Sequence, residues 1–433
     1  MNTNFDSNEP NIDIHIDNCE DFTMEMPAPV REIINTIESH GFEAFAVGGC
    51  VRDSLLERAP DDWDITTSAL PEQVKNMFPR TIDTGIQHGT VTVMMKNTGY
   101  EITTYRIDGE YEDGRHPNSV EFSSKLVDDL KRRDFTINAM AYNDNAHLVD
   151  EFDGIGDLNH HLIRCVGDAR ERFTEDALRM MRAIRFSAQL GFTIEEQTYD
   201  AILALAPAIS KVSMERVMIE LGKTLLSDHP DYVIQFVETG LFKDKLPVVH
   251  RILSDAHHKI VLEMLKLSKK DMILRLTALL HYASPEDARK TLRDLKLDNH
   301  TVDTVTRLVS CAKLTIHETE PDVREALHVY GRDFFPYLLD HHEAATIAKE
   351  RVTGILLPSQ KKHLAALRRL STEILERGDC FTIKDLDITG HDLMEYGLKG
   401  PEIGKTLDSL LHMVIENPAL NEKGALIALI ENL

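Results

Sequence analysis

Gly48-Gly49-Cys50-Val51-Arg52-Asp53, eight further residues and then Asp62-Trp63-Asp64 place a glycine turn and a basic side chain just ahead of two carboxylates one residue apart. The short apolar run before them, Glu43-Ala44-Phe45-Ala46-Val47, reads as a buried strand. Gly48 and Gly49 end that strand and let backbone amides approach a ligand closely. Arg52 falls near the start of a helix predicted over 51–57, where the amides and the helix dipole favour anions. Asp62 and Asp64 are expected on a second strand, 62–66. Residues two apart on a strand face the same way, so the two carboxylates converge and Trp63 turns to the other face. Hard oxygen ligands of this kind suit magnesium, which takes one or two protein carboxylates plus substrate phosphates. Two such ions about 3.5–4 Å apart activate a hydroxyl and stabilise leaving pyrophosphate. A lone Asp-x-Asp or Gly-Gly is common in turns. Their order and spacing, with Arg52 between them, point to a bound triphosphate and so to nucleotidyl transfer.

A third acid lies downstream. Tyr100-Glu101-Ile102-Thr103-Thr104-Tyr105-Arg106 alternates as a strand does, and 89–95 precedes it as a hairpin partner. Glu101 fits two readings, a helper of the metal pair or a solvated strand glutamate.

The 433 residues predict two to four domains, and 42% hydrophobic residues are enough to build cores. A net charge of −24 excludes a generally basic nucleic-acid coat, so RNA contact has to use local positive patches. Five scattered cysteines (19, 50, 165, 311 and 380) make no metal-spaced pair and suggest a reduced, cytoplasmic protein. Neither a secretory signal nor an apolar run long enough for a membrane span is apparent. Residues 1–27 hold seven acids and no Lys or Arg, and read as a mobile acidic leader. Val30, Ile33, Ile34 and Ile37 mark one face of a helix over 28–40. Short strands mix with helices from 42 to about 150. Beyond 160 strand signals nearly vanish, and amphipathic segments follow at 174–190, 213–226, 259–267 and 359–377.

Two more constellations carry a resemblance. One is Leu130-Lys131-Arg132-Arg133-Asp134-Phe135-Thr136-Ile137-Asn138-Ala139-Met140-Ala141; the other is Glu175-Asp176-Ala177-Leu178-Arg179, continuing through Arg182 and Arg185. With Gly-Gly-x-Val-Arg-Asp and Asp-x-Asp, this chain resembles the class II tRNA nucleotidyltransferases and bacterial poly(A) polymerases. It looks most like the bacterial CCA-adding enzymes that lack a phosphohydrolase domain. Tyr111-x-Asp113-Gly114-Arg115-His116-Pro117 is similar to the family's flexible loop, and Asp150-x-x-Asp153-Gly154-x-x-Asp157-Leu158 to its next motif. Gly390-His391-Asp392-Leu393 and Gly400-Pro401-Glu402-Ile403-Gly404 are similar to its C-terminal tail. The likeness spans 28–433.

The resemblance implies an α+β head, with a nucleotidyltransferase-type mixed sheet and helices, followed by an extended all-α neck, body and tail. It places the head at 28–160, a neck with a base-reading helix at 161–230, a body at 231–335 and a tRNA-binding tail at 336–433. Asp62 and Asp64 then hold two Mg2+ ions with Glu101 beside them. Arg52, Arg133 and the Gly48 and Gly49 amides hold the triphosphate of CTP or ATP. Asp176 and Arg179 read the base edge, and Arg182 and Arg185 contact nucleotide or phosphate or brace Asp176. At helical spacing, Asp176, Arg179, Arg182 and Arg185 form one polar ridge, with Leu178, Met181 and Ile184 packed inward. Asp134 orients neighbouring groups or caps the segment after it.

The chemistry suits that assignment. Cytosine and adenine both present an amine donor beside a ring-nitrogen acceptor, matching an aspartate and an arginine. Uracil and guanine present the reverse, and each buried mismatch costs about 1–3 kcal/mol. The implied partner is the tRNA acceptor end, read by shape and backbone, with no membrane and no obligate protein partner. Lys361, Lys362, Arg368 and Arg369 fall on one predicted helix and read either as an RNA contact or as ordinary surface. Histidine pairs at 160–161, 257–258 and 341–342 read as structural or surface groups. Narrower outputs (CC-adding, A-adding, poly(A) synthesis) and a non-catalytic RNA-binding regulator are the alternatives; a complete loop at 108–122 and intact Asp62, Asp64 and Arg133 favour full CCA addition.

Overall fold

In a computed structural model the described residues are 22–109, 120–311 and 316–430. Most of the acidic leader and the expected loop at 111–117 lie outside them. The first helix, Ala28–Ser39, buries Val30, Ile33, Ile34 and Ile37, the face that the spacing predicts.

The strands are β1 (Ala44–Val47), β2 (Asp64–Thr67), β3 (Thr81–Gly85), β4 (Thr90–Met95), β5 (Thr98–Thr104), β6 (Arg106–Asp108), β7 (Val120–Phe122), β8 (Met140–Asn143) and β9 (His147–Asp150). Seven of them form one mixed sheet in the order β3-β4-β5-β2-β1-β8-β9. All four β1 residues are buried, which is why a run without polar alternation is stable at the sheet centre. β4 and β5 make the expected hairpin, paired from Thr90↔Thr103 to Met95↔Thr98. β2 and β5 are parallel and the other pairs in this sheet are antiparallel.

Two local expectations need correction. β2 begins at Asp64, so Asp62 precedes the strand and strand alternation does not align the two carboxylates. The segment 174–190 is two helices, Ala169–Glu175 and Leu178–Leu190. Asp176 sits between them in extended conformation (φ −141°, ψ 104°), off the helical ridge. Its side chain explains the break, because Asp176 Oδ1 accepts the Leu178 amide at 3.0 Å and so starts the second helix.

After a two-stranded ribbon of β10 (Leu162–Ile163) and β11 (Thr193–Ile194), the chain is helical. It divides into two compact units, Met1–Lys245 and Leu246–Leu433. In the second, Leu308, Val323, Leu327, Phe335, Leu338, Leu367 and Ile374 pack one core. Leu393, Leu410, Leu411, Val414 and Leu426 pack another. Among the described residues no helix is long and apolar enough to cross a membrane.

Candidate active site

The sheet register builds the acidic end of the site. Val47 pairs with Asp64, and Ile65 pairs with Ile102 on the parallel neighbour. Asp64 and Glu101, each one residue earlier, are therefore side by side on one face. The Asp64 side chain is open to solvent but closely ringed by protein. That crowding raises its carboxyl above the ordinary value; Arg133 pulls it down and Asp62 pushes it up. Glu101 is raised likewise, by burial first and then by Asp64 and Asp62. Three hard-oxygen donors that repel one another across a short gap suit a divalent cation, which removes the repulsion.

The basic side of the site is held by a buried carboxylate that no local pattern singled out. Asp129 is fully buried and accepts from Arg132 (Nη2, 2.6 Å), Arg133 (Nη2, 3.2 Å) and Thr66 (Oγ1, 3.1 Å). Burial alone pushes its carboxyl up, but the two guanidiniums overcome this and hold it below the ordinary range. Arg133 is thereby aimed at the glycine turn. A Cβ added to Gly48 would lie 3.0 Å from Arg133 Nη1, and Gly48 has φ +83°, a conformation that favours glycine. The Gly48 amide, expected to face a phosphate, instead donates to the Met140 carbonyl at 3.1 Å. The Gly49 amide, first in the helix Gly49–Leu55, has no intrahelical acceptor. Arg52 is nearly buried, bonded to Asn138 Oδ1 at 2.7 Å and to both carboxylate oxygens of Asp53 at 2.9 Å.

Asp134 accepts from Arg182 at 2.6 Å, from the Asn138 amide at 3.2 Å and from the Phe135 backbone at 2.9 Å. Burial raises its carboxyl, but Arg182 and Arg179 bring it down to about 2. It therefore does orient its neighbours. The brace on Asp176 is a residue that the sequence did not single out. Arg216 grips it bidentately, Nη1 to Oδ1 at 3.3 Å and Nη2 to Oδ2 at 2.7 Å. Arg182 and Arg185, the expected braces, turn to Asp134 and to Glu220. Arg185 is buried, paired with Glu220 Oε2 at 2.6 Å, so it too leaves the exposed ridge. Arg179 donates through Nη1 to Glu175 (2.6 Å) and the Arg172 carbonyl (3.4 Å), and through Nη2 to the Arg132 carbonyl (3.1 Å). That last bond ties Arg179 to the backbone next to Arg133.

Phe186 collects the interior guanidiniums. Arg52, Arg182 and Arg185 lie 5.1, 5.3 and 3.7 Å from its ring centroid. Asp129 was detectable in principle, being three and four residues before two arginines. Arg216 and Phe186 were not, because only tertiary packing brings them here.

In the second unit, the helix Pro358–Arg377 carries the expected basic cluster. Lys361 pairs with Glu350 (2.7 Å), Arg368 with Asp340 and Glu343 (2.8 Å each) and Arg369 with Glu373 (2.9 Å). Lys362 is exposed and has no acidic partner among the described residues. Gly400 caps the start of the helix Pro401–Glu416.

Family models match three consecutive stretches. They are "Poly A polymerase head domain" at 44–164, "Probable RNA and SrmB- binding site of polymerase A" at 191–253 and a tRNA nucleotidyltransferase domain 2 at 265–430. The chain is 37% identical to the CCA-adding enzyme of Levilactobacillus brevis over 94% of its own length and 97% of the relative's. It is 39% identical, with the same coverage, to that of Lactobacillus delbrueckii subsp. bulgaricus. The fold superposes on the Bacillus stearothermophilus CCA-adding enzyme in complex with CTP with a TM-score of 0.75 and 32% identity, covering 94% of this chain and 98% of that one.

Proposed function

Since the chain belongs to the CCA-adding enzymes, we propose that it adds C, C and A to the 3′ end of tRNA from CTP and ATP, with the protein selecting each base. The RNA 3′-hydroxyl attacks the α-phosphate, an RNA–phosphate ester forms, and the bond to pyrophosphate breaks. Asp62 and Asp64, with Glu101 beside them, would hold magnesium, whose chemistry is to activate the hydroxyl and steady the leaving pyrophosphate. Arg133, aimed by Asp129 across the Gly48 turn, and Arg52 supply positive charge for the triphosphate, joined by the Gly49 amide. Arg185 positions rather than binds: its buried pair with Glu220 joins the helix Leu178–Leu190 to the helix Met214–Leu225.

The observation that carries the reading is the count of bonding sites left at Asp176 and Arg179. A carboxylate has about four acceptor sites. On Asp176, Arg216 takes one on each oxygen and the Leu178 amide takes the second on Oδ1. One site remains, on Oδ2, for a base amine. Arg179 has five N–H donors. Three are engaged within the protein, which leaves Nε–H and one Nη2–H among the described contacts. Those two match N3 and O2 of cytosine, and one of them matches N1 of adenine. Uracil and guanine meet acceptor with acceptor and donor with donor. Two such mismatches at about 1–3 kcal/mol each reject the wrong base by a factor of about thirty to tens of thousands.

The second unit is the proposed tRNA-binding part, with Lys362 exposed and Lys361, Arg368 and Arg369 able to exchange acidic partners for phosphates. The compartment proposed is the cytoplasm, in keeping with free cysteines at Cys50, Cys165, Cys311 and Cys380.

The test uses tRNAs ending before CCA, after C and after CC, each with magnesium and CTP, ATP, UTP or GTP singly, and with CTP plus ATP. Product length is read at single-nucleotide resolution. Two C and then one A, with termination, supports the reading. Arrest after CC or long A tracts would replace it with a narrower relative, and no extension would replace it with the non-catalytic one.

A further inference from the structure

Outside the site already described, one group of three metal-ligating side chains stands out among the described residues: His328, Asp408 and His412. One donor atom from each lies within 4.8 Å of the others. The three residues come from two helices, Glu320–Tyr330 and Pro401–Glu416. Asp408 and His412 are four apart and so share a helix face. A buried contact sets the spacing of the two helices, Arg324 Nε donating to the Ile415 carbonyl at 2.7 Å.

The second observation is how the imidazoles are held. His328 Nδ1 lies 2.9 Å from the Phe381 carbonyl, which can only accept, so Nδ1 carries the proton and Nε2 keeps its lone pair. His412 Nδ1 lies 3.3 Å from Glu325 Oε2, an ion-pair distance that places a carboxylate on that side of the ring. A metal-binding histidine characteristically gives its other N–H to a carbonyl or carboxylate in this way, which fixes the ring and makes the free nitrogen a better ligand. Here His328 is arranged so, His412 has a carboxylate near its Nδ1, and Asp408 stands beside both rings.

We propose that His328, Asp408 and His412 bind a divalent transition-metal ion of the zinc class, with water in the fourth position. Two imidazoles and one carboxylate suit zinc, nickel or cobalt better than magnesium or calcium, which prefer all-oxygen sets. Zinc–ligand distances of about 2.0–2.2 Å require donors about 3.4 Å apart in a tetrahedron. The exposed Asp408 and His412 side chains can close by the ångström or so that this needs. The bound ion would clip together two helices distant in sequence and so stabilise the second unit.

The site is tested on the full chain with zinc alone, by competition against a chromophoric chelator and by thermal melting. Cobalt(II) absorption reports the coordination geometry. The proposal expects one tight site per chain, a rise in Tm with one equivalent of zinc, and tetrahedral cobalt bands. His412→Ala and Asp408→Asn should each weaken binding a hundredfold or more and abolish the rise. Glu325→Gln, which disturbs only the outer contact, should weaken it about tenfold. His300→Ala serves as a surface-histidine control and should change nothing. Loss of binding in that control to the same degree, unchanged affinity in His412→Ala, or no tight site in the parent chain would each overturn the assignment. Circular dichroism of every variant separates misfolding from ligand loss.

Discussion

The reacting end of the site depends on single residues whose replacement has separable effects. Asp64→Asn keeps the side-chain shape but removes a proposed metal ligand. Nucleotide incorporation should fall by about three orders of magnitude, equivalent to roughly 4 kcal/mol in the barrier, with the melting temperature nearly unchanged. Arg216 acts one step away. It orients Asp176, and its loss frees the carboxylate to rotate and offer more than one acceptor. Arg216→Ala should therefore lower the ratio of CTP to UTP kcat/KM by about tenfold or more, while Arg216→Lys, which cannot grip bidentately, falls between. An unaltered ratio with reduced overall rate would show Arg216 to be merely structural. Cys50, beside the acidic site, is pushed up to about 12 by burial first and by Asp64 second, so its thiol should resist alkylation in the folded chain.

At the scale of elements, the break at Asp176 matters more than either helix it separates. One helix through 174–190 would carry Asp176 and Arg179 as neighbours on a ridge. The break instead lets Asp176 Oδ1 accept the amide that opens the second helix while Arg216 holds Oδ2. What keeps the second helix in place is partly the Arg185–Glu220 pair, nearly buried at 6% and 5% side-chain exposure. Burial draws Arg185 down to about 10 despite the partner's pull in the other direction. Removing one member strands a buried charge. Glu220→Ala should cost about 3–5 kcal/mol in urea unfolding, whereas Arg185→Met with Glu220→Leu should recover most of that. If the double variant is as unstable as the single one, the pair does more than satisfy its own charges.

At the scale of the molecule, a response to acid is built into one of the two compact units. The second unit encloses three histidines. His281 Nδ1 and His341 Nε2 are 3.0 Å apart, and His342 Nε2 lies 2.8 Å from the Cys311 carbonyl. His341 Nδ1 is buried without a partner among the described residues. Burial first, and the neighbouring imidazoles second, lower His281 to about 4 and hold His341 well below 6.5. His342 is lowered as well, by burial. Unfolded histidines titrate near 6.5. Between pH 6.5 and about 4 the unfolded chain thus binds more protons than the folded one, and stability falls as pH falls. Urea midpoints measured from pH 7.5 to 4.5 should decline through this window, and His341→Leu should flatten the slope. A slope that this variant leaves untouched would place the acid sensitivity elsewhere.

Local pattern was enough for the strand–glycine–Arg52–Asp-x-Asp order, the β4–β5 hairpin, the buried faces of the helices and a head of strands and helices followed by a helical region, while the mixed sheet came from the resemblance. The local readings depend on residues close in the chain, where alternation, turn chemistry and helical spacing act directly. That Glu101 lies beside Asp64 was one of two readings the sequence left open, and the parallel register of two strands far apart in sequence decided it. Packing also decided that Asp129, whose spacing to Arg132 and Arg133 the sequence did show, is their buried partner, that Met140 takes the Gly48 amide, and that Arg216 rather than Arg182 or Arg185 grips Asp176. Each depends on which buried charge finds which partner once the elements pack. That choice is made by desolvation, which acts only when the chain has closed around the groups.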